Sequence, residues 1–235
     1  MKPRNRFIIT AISFLLLAPA SFAGNTWDGG GGNGNWSTAA NWSGDTTPNY
    51  ASLLTFAGAT NLITTNDSAT GTVAGLTFSS GAGAFTLNGS SVTLGGNITN
   101  NSTSTQSVNL PLVLDANRTI ATTSGNVILG GPISGTFNLI KTQGNTLILN
   151  SAGSSFGLLQ INAGTVRLGV NDASPTSAGV TFAVGASGNE FLDLNGKSQT
   201  LGAAVTIGGS VTTGTVPIND SAGGGVLKLG GNVVQ

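Results

Sequence analysis

The sequence contains neither histidine nor cysteine, and these two absences exclude whole classes of chemistry. Without them the chain has no Ser-His-Asp or Cys-His catalytic group, no ordinary zinc site and no disulfide. Charged residues make up only 7% of the chain, against 39% for hydrophobic residues. Because a disordered chain usually combines low hydrophobicity with high net charge, this composition indicates a folded protein.

Residues that favour helices are also scarce. The chain has one Glu and one Met, whereas Thr, Val, Ile and Phe, which favour strands, are frequent. The formal net charge is zero, so nothing supports a nucleic-acid partner, which would require basic patches. We therefore expect an all-β protein that binds no nucleic acid.

Residues 1–23 have the pattern of a secretory signal peptide. Three basic residues in the first six positions precede an apolar stretch over 7–18, and Ser21-Phe22-Ala23 places small residues where a signal peptidase recognises them. A retained membrane anchor is the alternative, but the apolar stretch is short for a span. We predict cleavage after Ala23. The mature chain then has five basic and eight acidic residues, and no further segment that would span a membrane as a helix.

In the rest of the chain, apolar residues recur as i, i+2 pairs separated by Gly, Asn, Ser and Thr. Each pair places two side chains on one face of a strand, and the intervening residues favour turns. A strand every ten residues or so indicates a sandwich, a barrel or a solenoid. The pairs are Leu76/Phe78, Phe85/Leu87, Val92/Leu94, Val127/Leu129, Leu147/Leu149, Val166/Leu168, Leu192/Leu194, Val205/Ile207 and Leu227/Leu229.

Two internal repeats favour the solenoid. Residues 87–95 (LNGSSVTLG) match residues 194–202 (LNGKSQTLG) at seven of nine positions, and a Leu-Gly-Gly motif recurs in 92–98, 127–133 and 227–233. Short strands that cannot bury their apolar faces alone do so by stacking. We predict a parallel β-helix, with a β-sandwich or barrel as the alternative.

The stretch 137–169, FNLIKTQGNTLILNSAGSSFGLLQINAGTVRLG, resembles the autotransporter-associated β-strand repeat, also called the passenger-associated transport repeat. The family shows Leu-x-Lys-x-Gly-x-Gly-x-Leu-x-Leu, then an aromatic residue with Gly, then Ile-x-x-Gly-x-Leu-x-Leu-Gly. This chain departs from it at Gln143-Gly144-Asn145, where Gly-x-Gly is commoner, and at Phe156, where Tyr is commoner. The matching residues are Leu139, Lys141, Leu147, Leu149, Phe156, Gly157, Ile161, Gly164, Val166, Leu168 and Gly169.

Two further segments look like proteins that carry these repeats: residues 192–202, and the opening with Trp27, Trp36 and Trp42. The resemblance implies a right-handed parallel β-helix displayed at the surface of a Gram-negative-type bacterium. It implies no catalytic residues and no cofactor.

The carboxylates are the remaining candidates for catalysis, as in the carboxylate pairs of glycosidases. Glu190 and Asp193 are close in sequence, but an offset of three places them on opposite faces of a strand. A basic residue lies near an acid at two places, Arg118 near Asp115 and Lys197 near Asp193. Most acids lie in turn contexts, where carboxylates bind backbone N–H groups. We predict no catalytic, cofactor-binding or metal-binding residue.

The segment Gly31–Asn35 is similar to one calcium-binding β-roll repeat, but it has Asn where that repeat needs Asp and it occurs once. A flexible glycine loop is the alternative. Trp27, Trp36 and Trp42 are the chain's three tryptophans. We predict that they close the first turn of the solenoid within a cap over 24–55, with 56–235 forming the repeats. Exposed tryptophan faces that bind a glycan are the alternative, and the even spacing would let one strand face carry Trp36 and Trp42.

Alternation also predicts which side chains enter the core. Charged side chains should point outward, because an unpaired charge is costly to bury. We expect Leu147, Leu149, Val166, Leu168, Leu227 and Leu229 inside, Thr146, Arg167 and Lys228 outside, and Ile148 half exposed.

These observations favour a non-catalytic, exported structural or adhesive segment displayed at the bacterial cell surface. The expected partners are cell-surface polysaccharide or the surface of a host or neighbouring cell. A carbohydrate-binding β-helix and a polysaccharide-cleaving β-helix are the alternatives. Residues 230–235 lie inside a repeat-like unit. We therefore expect a truncated chain, with any translocator domain outside it.

Overall fold

The computed structural model describes residues 25–49, 51–68, 70–183, 190–208 and 217–234. The predicted signal peptide and its cleavage point lie outside these residues. The described residues form twenty-four short strands and one 3-10 helix, Ala39–Asn41. The first twelve strands are β1 Asn25–Trp27, β2 Leu53–Phe56, β3 Ile63–Asn66, β4 Gly71–Val73, β5 Gly75–Phe78, β6 Thr86–Gly89, β7 Val92–Leu94, β8 Ile98–Asn100, β9 Gln106–Val108, β10 Leu112–Leu114, β11 Arg118–Thr122 and β12 Val127–Leu129. The other twelve are β13 Ile133–Ser134, β14 Leu139–Thr142, β15 Thr146–Leu149, β16 Leu159–Ile161, β17 Gly164–Leu168, β18 Val180–Phe182, β19 Glu190–Asp193, β20 Gln199–Leu201, β21 Val205–Ile207, β22 Ile218–Asn219, β23 Leu227–Leu229 and β24 Val233–Val234.

The chain is a right-handed parallel β-helix of about seven turns. Sheet A has ten strands in the order β1-β2-β5-β8-β11-β14-β16-β18-β21-β24, and sheet B has eight, from β3 at one edge to β22 at the other. The third face carries β4-β7-β10-β13 and, further along, the pair β20-β23. Every pairing between these strands is parallel and joins successive turns, as between β5 and β8. The predicted β-helix is confirmed, and the β-sandwich alternative is wrong.

The length of a turn is not constant. Thr146 lies beside Thr165 and Asn25 lies beside Leu54, so neighbouring turns are offset by 19 to 29 residues. The strands themselves keep to two to five residues. The additional residues therefore lie in the corners, where a solenoid tolerates insertions without losing the register of its strands.

Alternate side chains of each strand fill the core. One inward row in sheet B places five side chains of successive turns in register, each at most 1% exposed. The predicted alternation is confirmed around β15 and β17: the four expected leucine and valine side chains are buried, while Thr146, Ile148 and Arg167 are half-buried on the outer side. The members of the row are Leu87, Val108, Leu129, Leu149 and Leu168.

The prediction of buried leucines is wrong for the last strand of the third face. Lys228 is exposed as expected, but Leu229 is 43% exposed and Leu227 is only half-buried. No further turn of the described part of the chain covers β23, so its inward side chains lack the layer that buries Leu149 three turns earlier.

The Leu-Gly-Gly motif occupies two different corners. In 92–98 and 227–233 it leads from the third face to sheet A, whereas in 127–133 it leads from sheet B to the third face. At Gly131 an added Cβ would lie 2.4 Å from the carbonyl oxygen of Leu110 in the preceding turn. The motif therefore serves any corner where successive turns approach closely, and it does not mark one position of the repeat.

The N-terminal cap closes the first turn with aromatic side chains. Trp27, Trp36 and Trp42 are at most 2% exposed, and both Trp27 and Trp36 pack edge-on against Trp42 at centroid distances of 5.1 and 6.0 Å. All three rings contact Phe56 of β2, which the cap covers. The expected burial of the three tryptophans over the first turn is confirmed. The interpretation that one strand face carries Trp36 and Trp42 is wrong, because the 3-10 helix lies between them.

Candidate functional site

The two neighbouring carboxylates of β19 do not converge. Glu190 shares the inward side of the strand with Leu192, whereas Asp193 lies on the outer side beside Arg167. Glu190 is 8% exposed and Asp193 is 1% exposed, so each carboxylate is buried, but on opposite sides of the sheet. The expected separation of this pair is confirmed, and the pair cannot act on one substrate atom.

Asp193 is instead the acceptor at the centre of an outer network. Its carboxylate accepts hydrogen bonds from Arg167 Nε (2.7 Å), from the Ser221 backbone N–H and hydroxyl (2.9 and 2.7 Å), and from the Asn195 N–H (3.0 Å). Burial would raise the pKa of Asp193, but these hydrogen bonds outweigh it and hold the pKa below its ordinary value. The carboxylate joins three successive turns, which is a structural role.

The other predicted acid-base neighbours differ in outcome. Arg118 and Asp115 form an ion pair at the corner after β10, where Arg118 Nε also donates to the Leu94 carbonyl of the preceding turn at 2.7 Å. Lys197 is not a partner of Asp193, because the register between turns brings Arg167 there instead. The two ion pairs of the described residues lie on different faces of the solenoid, so they do not form one charged site.

Most of the remaining acids bind backbone N–H groups. Asp172 accepts from Thr200 at 2.7 Å, Asp220 accepts from Gly225 at 2.7 Å, and Asp28 accepts from Gly30 at 3.1 Å. The turn interpretation of these carboxylates is therefore confirmed. Within the ranges that the structure describes, no three acidic side chains group as a metal-binding cluster would.

The glycine-rich segment that is similar to a calcium repeat is tied to the cap by asparagine. Asn41 is fully buried; its amide accepts from the Gly31 N–H at 2.9 Å and donates to Asn33 Oδ1 at 3.0 Å. Gly34 lies so close to the first turn that an added Cβ would meet the Ile63 carbonyl at 2.3 Å. The segment is thus a fitted part of the cap, and the alternative of a flexible loop is wrong.

Lys141 is a buried ionisable residue that the sequence analysis did not predict. It occupies the inward row between Ile120 and Ile161 and is fully buried. Its Nζ donates to the carbonyl oxygens of Thr142, Gln143 and Ala163, at 2.5 to 2.9 Å. Burial lowers the pKa of Lys141 to about 8. The ammonium group thereby satisfies the carbonyls of two stacked corners, and the signal for this was available, since Lys141 shares its parity with Leu139.

One cleft lies where the cap meets the first turn of the solenoid. It encloses about 260 Å³. Its floor is formed by the buried side chains of Trp36, Leu54 and Val73, and its rim includes the hydroxyl and amide groups of Ser37 and Asn49. An apolar floor with a few polar groups around it is the usual make-up of a small-molecule site.

The outer side of sheet A is lined by uncharged side chains. Thr26, Thr55, Thr77 and Thr99 lie in register on four neighbouring strands, and Ala121 continues the row. All are half-buried. This face presents hydroxyl and methyl groups but no formal charge along the row.

The residues that carry the family resemblance are nearly all core residues. Of the eleven matching positions in 137–169, all but Gly157 and Gly169 are buried. The motif therefore describes how the turns pack and leaves the outer surface unspecified. None of the residues that the structure describes form a helix of the length and apolar character needed to cross a membrane. Comparisons with family models, curated proteins and solved structures gave no match.

Proposed function

We propose that the chain is a non-catalytic, exported structural or adhesive segment, a rigid stem displayed at the surface of a bacterial cell. The observation that carries the proposal is the use of the outer carboxylates as structural acceptors. The carboxylate of Asp193 accepts four hydrogen bonds, which come from Arg167, Asn195 and Ser221. A general acid must exchange a proton, and a nucleophile must reach a substrate atom. The carboxylate of Asp193 is buried, and its lowered pKa keeps it ionised.

The build of the solenoid supports a stem. Its core is continuous from Phe56 under the cap to Val205, and three tryptophans seal the N-terminal end. Rigidity along the axis comes from parallel ladders between all successive turns. The resemblance of 137–169 to the autotransporter-associated repeat, and the signal-peptide pattern of 1–23, support export and display.

Cell fractionation tests the proposal. Cells that produce the chain within its natural reading frame, with any sequence that follows residue 235, are separated into cytoplasmic, periplasmic, outer-membrane and culture fractions, and the N-terminus of the chain is sequenced. We expect the chain in the outer-membrane or culture fraction, with Gly24 as its first residue. A cytoplasmic chain that retains Met1 would contradict export.

The non-catalytic part is tested separately with a panel of polysaccharides and the purified mature chain. We expect no release of oligosaccharides. Turnover that disappears in Asp193→Asn or Glu190→Gln, while both variants stay folded by circular dichroism, would establish the polysaccharide-cleaving alternative.

A further inference from the structure

We infer that a row of threonines on the outer side of sheet A binds the surface of ice. The inference rests on the proposed adhesive function, because it names a surface to which such a segment would attach. The row crosses the six neighbouring strands β1, β2, β5, β8, β11 and β14. Its paired positions, called the threonine row below, are Thr26, Thr55, Thr77, Thr99, Ala121 and Thr142.

The threonine row is regular because the turns stack in register. Neighbouring strands of a sheet lie about 4.8 Å apart, so the six positions extend over about 24 Å. Five of the six positions carry threonine, although the turns between them differ in length. The oxygen atoms on the faces of hexagonal ice repeat at a similar spacing. Successive threonines can therefore contact equivalent positions of the ice lattice.

The threonine side chains are restricted in motion, and their hydroxyl groups are free to bind outside the protein. All five are half-buried, and the branched Cβ of threonine limits its χ1 angle. None of the five hydroxyls bonds to another residue that the structure describes; at Thr142 it is the backbone carbonyl that accepts from Thr122 and Lys141. Each hydroxyl lies beside a methyl group, so the row offers ordered water both a hydrogen-bonding and an apolar contact.

The strands that carry the row present little charge to solvent. Strands β1, β2, β5 and β8 contain no charged residue. Lys141 of β14 points into the core, and Arg118, at the start of β11, is held at the corner by Asp115. A charged side chain such as lysine holds its own hydration water strongly. An uncharged row can instead share its water with a solid lattice.

Other extended surfaces fit the threonine row less well. Sugar rings of a crystalline polysaccharide pack on exposed aromatic faces, but the aromatic residues of these six strands, Trp27, Phe56 and Phe78, are fully buried. An anionic membrane surface attracts clusters of basic side chains, and the row has none. Ice is the extended surface that matches uncharged hydroxyl and methyl groups at a constant spacing.

Ice-affinity partitioning tests the inference directly. A solution of the purified mature chain is frozen slowly on a cold surface, and the concentration of the chain is compared between the ice and the remaining liquid. The shape and growth of single ice crystals in the same solution are recorded by microscopy. An unrelated protein of similar size that does not bind ice measures how much solute is trapped without binding.

We expect the chain to be enriched in the ice and to change the shape of the crystals. Thr99→Lys places a long, hydrated side chain in the middle of the threonine row and should lower the enrichment about tenfold. Thr165→Lys is the matched control, because Thr165 is also a half-buried outer threonine but lies on β17 of sheet B. It should leave the enrichment unchanged. Circular dichroism checks the fold of each variant, and Thr77→Lys repeats the test if Thr99→Lys does not fold.

Exclusion of the folded chain from ice to the same extent as the unrelated protein would overturn the inference. Enrichment that survives Thr99→Lys, or that falls equally with Thr165→Lys, would also overturn it, because ice would then contact another part of the chain. Retention on crystalline cellulose or chitin, or formation of a dimer, that Thr99→Lys abolishes would assign the row to a polysaccharide or to a second copy of the chain instead. None of these outcomes affects the fractionation experiment, so failure of the ice-binding row is distinguishable from failure of the proposed surface display.

Discussion

Arg167 and Asp193 lie in register on adjacent turns, and Arg167 Nε approaches Asp193 Oδ2 to 2.7 Å although the residues are 26 positions apart in sequence. The two side chains are unequal partners. The arginine side chain is 40% exposed, whereas the carboxylate is 2% exposed and also binds Asn195 and Ser221. The pair therefore closes the outer surface of sheet B over a buried anion.

Removal of the anion should destabilise the protein more than removal of its cation. Asp193→Ala leaves the Asn195 and Ser221 N–H groups without their acceptor, and we expect a loss of about 2–3 kcal/mol in the free energy of unfolding. Arg167→Ala should cost about 1 kcal/mol, because this side chain is partly solvated. Urea unfolding at neutral pH measures both. Lys228→Ala, an exposed lysine, is the control and should be near neutral; equal effects of all three changes would contradict the network.

The buried amine of Lys141 should make stability depend on alkaline pH. The pKa of Lys141 is lowered to about 8 in the folded protein, against an ordinary value of 10.5. Between these two values the unfolded chain binds more protons than the folded chain, so stability should rise with pH across this window. The destabilisation by the buried charge is present in full below about pH 8.

Denaturant midpoints at pH 7, 8, 9 and 10 test this dependence. Lys141→Met should remove the rise between pH 8 and 10, whereas Lys228→Met, which changes an exposed lysine, should retain it. A rise of the same size in both variants would show that another group is responsible.

A matched pair in β15 tests the direction of the side chains. Leu149 is 1% exposed in the core, and its neighbour Ile148 is half-buried on the outer side. Leu149→Ala should leave a cavity and cost roughly 2–5 kcal/mol, whereas Ile148→Ala should cost about 1 kcal/mol. Urea unfolding of the two variants compares them. If the Ile148 variant were the less stable of the two, the assignment of Leu149 to the core and Ile148 to the outer side would be wrong.

Engineered disulfides test the stacking of turns, since the chain has no cysteine of its own. Thr77 and Thr99 pair in register on neighbouring turns, whereas Thr77 and Ala121 are two turns apart. One turn corresponds to about 4.8 Å and two turns to about 9.6 Å, and a disulfide needs a Cα separation below about 7 Å. Thr77→Cys with Thr99→Cys should oxidise readily; oxidation of Thr77→Cys with Ala121→Cys to the same extent would contradict the stack.

The alternation of side chains was predictable because its period of two is local. Pairs such as Leu147 and Leu149 need only their own strand to show which face is buried. The partnership of Arg167 with Asp193 was not predictable in this way. It depends on the register between turns, and turns of 19 to 29 residues leave that register undetermined by sequence spacing.

Lys141 shows the limit of a rule about charge. The alternation that it shares with Leu139 predicts an inward side chain, whereas the rule that charges face solvent predicts an outward one. The side chain lies inward because its Nζ donates to three backbone carbonyls. Those carbonyls belong to corners of two different turns, so their position around Lys141 cannot be predicted until the stacking of the turns is known. The candidate cleft was missed for the same reason, because Trp36 and Val73 meet only where the cap covers the first turn.

Surface labelling of intact cells tests the central claim, an exported β-helix whose outer side faces the medium. In a chain without natural cysteine, Thr123→Cys introduces a thiol at an exposed corner and Leu149→Cys introduces one in the core. Cells that produce each variant within the natural reading frame, with any sequence that follows residue 235, are treated with a membrane-impermeant maleimide. We predict that Thr123→Cys is labelled on intact cells and that Leu149→Cys is labelled only after denaturation. Labelling of Thr123→Cys only after cell lysis would contradict surface display, and labelling of Leu149→Cys on intact cells would contradict the fold.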